Sequence, residues 1–288
     1  DGMPSLLAGP SGALELSLLQ EQGGVVEVGN ADANMEPPNP SLQALASNGR
    51  CVQIRGLRKE FPTPDGTKVA VKALDMTMYE GQIFALLGHN GAGKTTTLSI
   101  LSGMLPATAG DASVFGLSVA SQMASIRRIM GVCPQHDVLF PDLTVLEHLE
   151  LFAGLKEVPL DVRAQKISEI IAEVGLTEKV YSLSSTLSGV MKRKLSLAIA
   201  LLGDSRIVFL DEPTSGMDPY SRRSTWSVIQ NNRQGRIIVL TTHFMDEADL
   251  LGDRIGIMAD GELRCCGSPM FLKARFGVGY NLTLVRTP

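Results

Sequence analysis

Gly88-His89-Asn90-Gly91-Ala92-Gly93-Lys94-Thr95 is the stretch that decides the fold. It fits GxxxxGK[ST], in which glycines let successive backbone N–H groups curl around a polyphosphate. In that pattern Lys94 reaches the β- and γ-phosphates as a point charge and the Thr95 hydroxyl ligates Mg2+. The flanks suit it. Ile83 to Leu87 reads as a buried strand, and Thr96 to Ser102 reads as a helix that aims its positive N-terminus at the phosphates. The stretch therefore predicts nucleotide binding.

Working outward, 288 residues allow one large domain or two small ones. Hydrophobic residues make up 44% and charged ones 19%, which excludes a disordered chain. No run approaches the length of a membrane span. The chain starts at Asp1 without a basic-then-apolar leader and reads as a piece of something longer. Residues 1–48 hold six acidic residues and no Lys or Arg, against a net charge of −4 for the whole. The remainder is near neutral and offers no electrostatic footprint for nucleic acid. Cys51, Cys133, Cys265 and Cys266 lack zinc-ligand spacing and suit a reducing cytosolic face.

Residues 1–48, with Pro37-Pro38-Asn39-Pro40, read as a disordered linker. Cys51 to Arg55 and Val69 to Met78 alternate apolar and polar around the turn Pro64-Asp65-Gly66, predicting a small antiparallel sheet. Leu143 to Leu155 and Val162 to Val174 carry helical periodicity. Helix patterns then alternate with the apolar strands Ile207 to Leu210, Ile237 to Leu240 and Ile255 to Met258. That alternation argues for a parallel α/β core interrupted by a helical insertion at about 136–189.

Three further segments carry chemistry. The strand from Ile207 ends in Asp211-Glu212, where parallel sheets place ligands. Asp211 suits Mg2+ and Glu212 suits a general base. Ser188 is placed to cap a helix running to Leu202. Thr241-Thr242-His243 ends the next strand and sets an imidazole where a γ-phosphate contact is feasible.

In this order the motifs resemble the ATP-binding cassette superfamily over about residues 50–275. The likeness narrows to subfamily A through Gly88 to Thr97, Pro134-Gln135-His136, Lys192 to Ser196, Asp211 to Pro219 and Met245 to Arg254. The resemblance implies an α/β fold: a P-loop NTPase (RecA-like) core with an N-terminal antiparallel β subdomain and an inserted α-helical subdomain. It sets the nucleotide-binding domain at 49–280 and leaves 281–288 as a C-terminal extension. Phe61 then stacks on adenine, and Gly88, His89, Asn90, Gly91, Ala92, Gly93, Lys94, Thr95 and Thr96 hold the phosphates. Thr95, Gln135 and Asp211 attend Mg2+, while Lys94, Glu212 and His243 carry catalysis. Ser188-Gly189 belongs to the signature that touches ATP held by the opposite domain, and Ser215 to Asp218 matches the dimer-interface loop.

Phe61 replaces the commoner tyrosine and keeps its stacking face. Val190 stands where the family nearly always has glycine. Asp246-Glu247-Ala248-Asp249 spells a helicase word, but on a helix, not at a metal-binding strand end. The resemblance further implies ATP and Mg2+ as ligands, and transmembrane domains of the same polypeptide, a second nucleotide-binding domain and lipid cargo as partners. It implies a soluble domain on the cytoplasmic face of a membrane, from the first half of the transporter. A non-hydrolysing regulatory binder and a soluble cassette ATPase stay open as alternatives.

Overall fold

The computed structural model describes residues 31–64 and 66–277. The chain divides at Ala33 into two units, of which the first, Asp1–Ala33, lies almost wholly outside those residues. The second begins with the helix Pro40–Ser47 (α1) and the paired strands Cys51–Thr63 (β1) and Gly66–Tyr79 (β2). These strands run antiparallel from Cys51 opposite Tyr79 to Thr63 opposite Gly66. Ile83–Leu87 (β3), Lys94–Leu101 (α2), Ala109–Val114 (β4), Leu117–Ser118 (β5), Met123–Arg128 (α3) and Met130–Cys133 (β6) follow. Val145–Leu155 (α4), Leu160–Glu173 (α5) and Gly189–Leu201 (α6) fill the span before Ile207–Asp211 (β7). Pro219–Asn231 (α7), Ile237–Thr242 (β8), Met245–Leu251 (α8), Arg254–Ala259 (β9), Glu262–Gly267 (β10) and Pro269–Phe276 (α9) complete the described chain.

Two sheets result. One has the order β2-β1-β4-β5 and the other β10-β9-β3-β8-β7-β6. In the second, β9, β3, β8, β7 and β6 are parallel, and β10 adds an antiparallel edge. Every residue of β3, β7 and β8 is buried, as strands covered on both faces must be. Their side chains divide by the two-residue period of a strand. Ile83, Ala85, Val208, Leu210, Ile238 and Leu240 join a core with Leu149, Ile170 and Leu195 of α4 to α6. Phe84, Leu86, Ile207, Phe209, Ile237 and Val239 join a second core with Ile54, Leu74 and Ile100. The central sheet thus seals two layers and leaves its carboxyl ends free to carry polar groups.

Local signals start the helices. Thr144 and Glu147 form a reciprocal capping box at α4, and Asp218 caps α7 through the amides of Tyr220 and Ser221. Lys156 closes the far end of α6, its Nζ donating to the carbonyls of Ile199 and Leu202, each at 2.9 Å.

The linker reading needs correction at its end. Residues 1–30 and 281–288 lie outside the described residues, but Pro40–Ser47 is helical. The proline-rich stretch is a helix start: Asn39 Oδ1 accepts from Leu42 N at 2.9 Å, and Pro40 occupies the first turn, where its missing N–H is harmless. Leu42 packs with Cys51 and Tyr79. Upstream, Glu36 is anchored on the second sheet. Its carboxylate accepts from Ser268 N at 2.6 Å and Ser268 Oγ at 2.9 Å, and lies 3.2 Å from Arg254 Nη1. Glu36→Ala would remove the carboxylate facing this largely buried arginine, which keeps the main-chain oxygen of residue 36 at 2.9 Å from Nη2, a loss of about 1–3 kcal/mol. At about 2–4 °C per kcal/mol for a domain of this size, the melting midpoint should fall by several degrees. An unchanged midpoint in a calorimetric scan would show that the Glu36 carboxylate carries no stability.

Candidate functional site

The loop from Gly88 to Gly93 leaves the carboxyl end of β3 and turns into α2. Gly93 has φ +104, a left-handed conformation that disfavours side chains, and a Cβ there would lie 2.6 Å from Ala70 O. A Cβ on Gly88 would lie 2.5 Å from Met258 O. Glycine is therefore required at both ends of the loop by close backbone approach. Being glycine, Gly93 offers α2 no side-chain cap, so the first amides of this helix remain available to an anion. Lys94 Nζ spans the loop, donating to Gly88 O at 2.7 Å and His89 O at 3.1 Å. Burial lowers the Lys94 pKa from its ordinary value, and the nearby Glu212 and Asp211 carboxylates act against that shift. His89 and Asn90 form the outer rim, with His89 Nδ1 2.8 Å from Asn90 O. Ala92 is fully buried and accepts from Gly261 N at 3.2 Å, which ties the loop to the turn between β9 and β10.

β7 and β8 place the acidic groups beside this loop. Asp211 Oδ1 accepts from the Thr95 hydroxyl at 3.1 Å and from the Thr241 hydroxyl. One step on, Glu212 is 8% exposed and has φ +49. A non-glycine residue in this region carries about 1–3 kcal/mol of strain, which its surroundings must hold. Its amide meets Thr241 Oγ1 at 3.0 Å and Thr241 O at 3.2 Å. The side chain reaches back so that Oε1 lies 3.2 Å from His243 Nδ1, and the His243 ring sits 4.1 Å from that of Phe244.

A cleft of about 750 Å³ joins Phe61 on β1 to Asn90, Lys94, Thr95, Thr96, Gln135 and Glu212. Lys59 Nζ stands 5.1 Å from the centroid of the Phe61 ring. Asp211 sits beneath Thr95, and His243 reaches the cleft through Glu212. Ser188 and Gly189 do not join them. They line a second cavity of about 520 Å³ with Val190, Ser215, Gly216 and Met217, and Gln135 lines both. Ser188 caps α6 through Met191 N. Sequence reasoning missed Thr241, which fixes both carboxylate residues, and the Asp260-Gly261 turn, which lines the cleft and braces the loop. In the sequence Thr241 is marked only as the strand end that leads to His243, and Gly261 lies in an unremarkable turn, so neither announces its role.

The family model described as ABC transporter matches residues 71–215. The chain belongs to the ABC transporter family. It is 52% identical over 237 residues to "Phospholipid-transporting ATPase ABCA3" of Homo sapiens, a match covering 82% of this chain and 14% of that protein. It is 52% identical over 224 residues to "ATP-binding cassette sub-family A member 2" of Homo sapiens, covering 78% and 9%. With "ABC transporter A family member 2" of Dictyostelium discoideum it shares 50% over 254 residues, covering 88% and 15%. The chain thus spans about a seventh or less of these relatives. Among solved structures, an ATP-binding subunit of an ABC transporter superposes with TM-score 0.72 at 24% identity, covering 79% of this chain and 93% of that one. A dimeric post-hydrolysis cassette bound to ADP and Pi gives 0.70 at 24% identity, covering 76% and 98%. The fold is that of the ABC nucleotide-binding domains, and the strand and helix order around Gly88 to Thr95 is that of a P-loop NTPase.

Proposed function

We propose that this domain binds Mg-ATP in the cleft and hydrolyses it to drive a membrane transporter, after pairing with a second nucleotide-binding domain. The observation that carries the reading is convergence: Lys94, Thr95, Asp211 and Glu212 meet at a glycine cradle on the carboxyl ends of parallel strands. The cradle suits a polyphosphate, since its glycines leave backbone amides unobstructed. The oxygen donors of Thr95, Asp211 and Gln135 suit Mg2+, a hard cation that prefers oxygen. Bound there, Mg2+ supplies charge neutralisation for the developing phosphate oxygens. Phe61 stacks on the adenine, and the loop amides with Lys94 hold the β- and γ-phosphates. Glu212 accepts the proton of the attacking water, and His243, 3.2 Å from Glu212 Oε1, contacts the γ-phosphate beside it. Catalysis is then mainly positioning and electrostatic stabilisation.

The separate cavity at Ser188-Gly189 fits the pairing. That surface serves ATP held by the opposite domain, while this cleft awaits the partner's equivalent. Among the described residues no helix is long and apolar enough to cross a membrane. The work reaches transmembrane domains of the same polypeptide through the Gln135 loop, on the cytoplasmic face. The human relative at 52% identity is named a phospholipid-transporting ATPase, which supports lipid as cargo.

Val190 supports a second reading for one site. Val190 is the second residue of α6 and has ordinary helical backbone, so what it adds is bulk: two methyls beside Gly189, where a phosphate oxygen must approach. The defect falls on the partner's ATP, and the site built on Lys94 and Glu212 stays competent. A pair of identical copies carries Val190 twice, so its ATPase rate should be low, and Val190→Gly should raise it. The comparison is of phosphate release at protein concentrations where copies pair. Equal rates would refute the asymmetry.

A further inference from the structure

Arg193 lies on α6, five residues after Ser188, inside the basic triplet Lys192-Arg193-Lys194. Such a triplet reads as a solvated face, yet Arg193 is only 5% exposed. All three guanidinium nitrogens are engaged. Nε donates to Pro213 O at 3.1 Å. Nη1 donates to Pro134 O and to Asp137 Oδ1, the latter at 3.2 Å. Nη2 donates to Asp211 O and to Glu212 O, the latter at 3.0 Å. Asp137 Oδ1 also accepts from Ser196 Oγ at 2.9 Å, one turn further along α6.

These acceptors are not a random set. The carbonyls of Asp211 and Glu212 belong to the two peptide groups that flank the Glu212 Cα. The Pro134 carbonyl belongs to the peptide that carries Gln135. From the opposite side Thr241 holds the Glu212 amide. Glu212 is thereby pinned on both sides at φ +49, a conformation that persists only when its surroundings over-determine it. Burying a guanidinium is costly, and here five acceptors offset the cost. A planar fork with five N–H donors can tie two segments, 134–137 and 211–213, to its own helix at once.

We propose that Arg193 is a positioning residue for hydrolysis, locking the Glu212 turn, the Gln135 loop and the signature helix α6 into one register. It touches no reacting atom and acts through Glu212. A displacement of the Gln135 loop, or of α6 when a partner closes on Ser188, is delivered through this single side chain to the carboxylate. The inference rests on the assignment of Glu212 as the base proposed above.

Arg193→Lys keeps the charge but not the fork, so kcat should fall at least about tenfold. KM for ATP and the Mg-ATP dissociation constant should each move less than about threefold, because the phosphate loop is untouched. In a Glu212→Gln background the same substitution should add less than a twofold loss to the residual rate, since its effect passes through the missing carboxylate. An unchanged kcat, a loss of binding in step with kcat, or a fully additive loss would each overturn the inference. Where Arg193→Lys lowers the melting temperature sharply, Asp137→Asn decides. It loosens one arm of the fork at a partly exposed partner and should lower kcat with binding intact, and no change in kcat would then count against Arg193. A parent enzyme that loses hydrolysis in Glu212→Gln upholds the assignment of the base whatever Arg193 does, so the two failures are separable.

Discussion

Replacing Lys94 by alanine is expected to weaken Mg-ATP binding by about ten- to 150-fold. The estimate follows from the loss of charge-assisted contacts to two phosphates, at about 1.5–3 kcal/mol. Lys94 is 5% exposed, and its amine already crosses the loop to Gly88 O and His89 O, so it is pre-aimed at whatever the cradle holds. Burial lowers the Lys94 pKa, and a polyphosphate in the cradle acts against that shift as the Glu212 and Asp211 carboxylates do. Calorimetric titration of parent and variant with Mg-ATP measures the difference, and a melting curve for each checks that the loop stays folded. Unchanged affinity would remove the phosphate-loop assignment.

The second large effect concerns Glu212. Glu212→Gln keeps the side chain's size and its place on the turn pinned by Thr241, but it removes the proton acceptor. Binding of Mg-ATP should hold within about threefold while hydrolysis falls by about 10²–10⁴-fold, the range for a lost general base. The separation of the two is the point. A variant that lost binding and hydrolysis together would mean that Glu212 is structural. If Glu212→Gln turned over ATP at the parent rate, the base lies elsewhere, and His243, 3.2 Å from Glu212 Oε1, is the next candidate.

What the sequence disclosed, it disclosed where one local rule dominates. Glycine spacing around Lys94 marks a loop because close backbone approach tolerates no Cβ at Gly88 or Gly93. The apolar run before Asp211-Glu212 marks a strand buried on both faces, and its end marks the ligand side of the sheet. Ser188 and the α4 periodicity marked helix starts that the structure places at Gly189 and Val145.

The rest depended on contacts distant in sequence. β4 contains Gly110 and Asp111 and has little apolar alternation, and it becomes a strand by pairing with β1. β10 is likewise defined by its neighbour β9, and α1 was hidden behind prolines that begin it. At the site, the cleft residues Phe61, Lys94, Gln135 and Glu212 span four separate elements and loops. Their order in the chain shows which residues to expect, but only the sheet brings them together. Arg193 was the least legible of all. A basic triplet on a helix belongs in solvent by composition, and its middle member is buried because carbonyls from two distant segments, Pro134 and Asp211 to Pro213, converge on it.

The central claim is that the cleft is a hydrolytic Mg-ATP site and not merely a binding one. A single-turnover experiment tests it most directly: the chain in molar excess over ATP, at concentrations where copies pair, with released phosphate followed in the presence of Mg2+ or of a chelator. The account predicts that bound ATP is converted to ADP and phosphate with Mg2+, slowly in the parent pair that carries Val190 twice and faster in Val190→Gly, and that release is lost with chelator or in Glu212→Gln. Mg-ATP that stays bound and intact, with phosphate no higher in the parent than in Glu212→Gln, would contradict it.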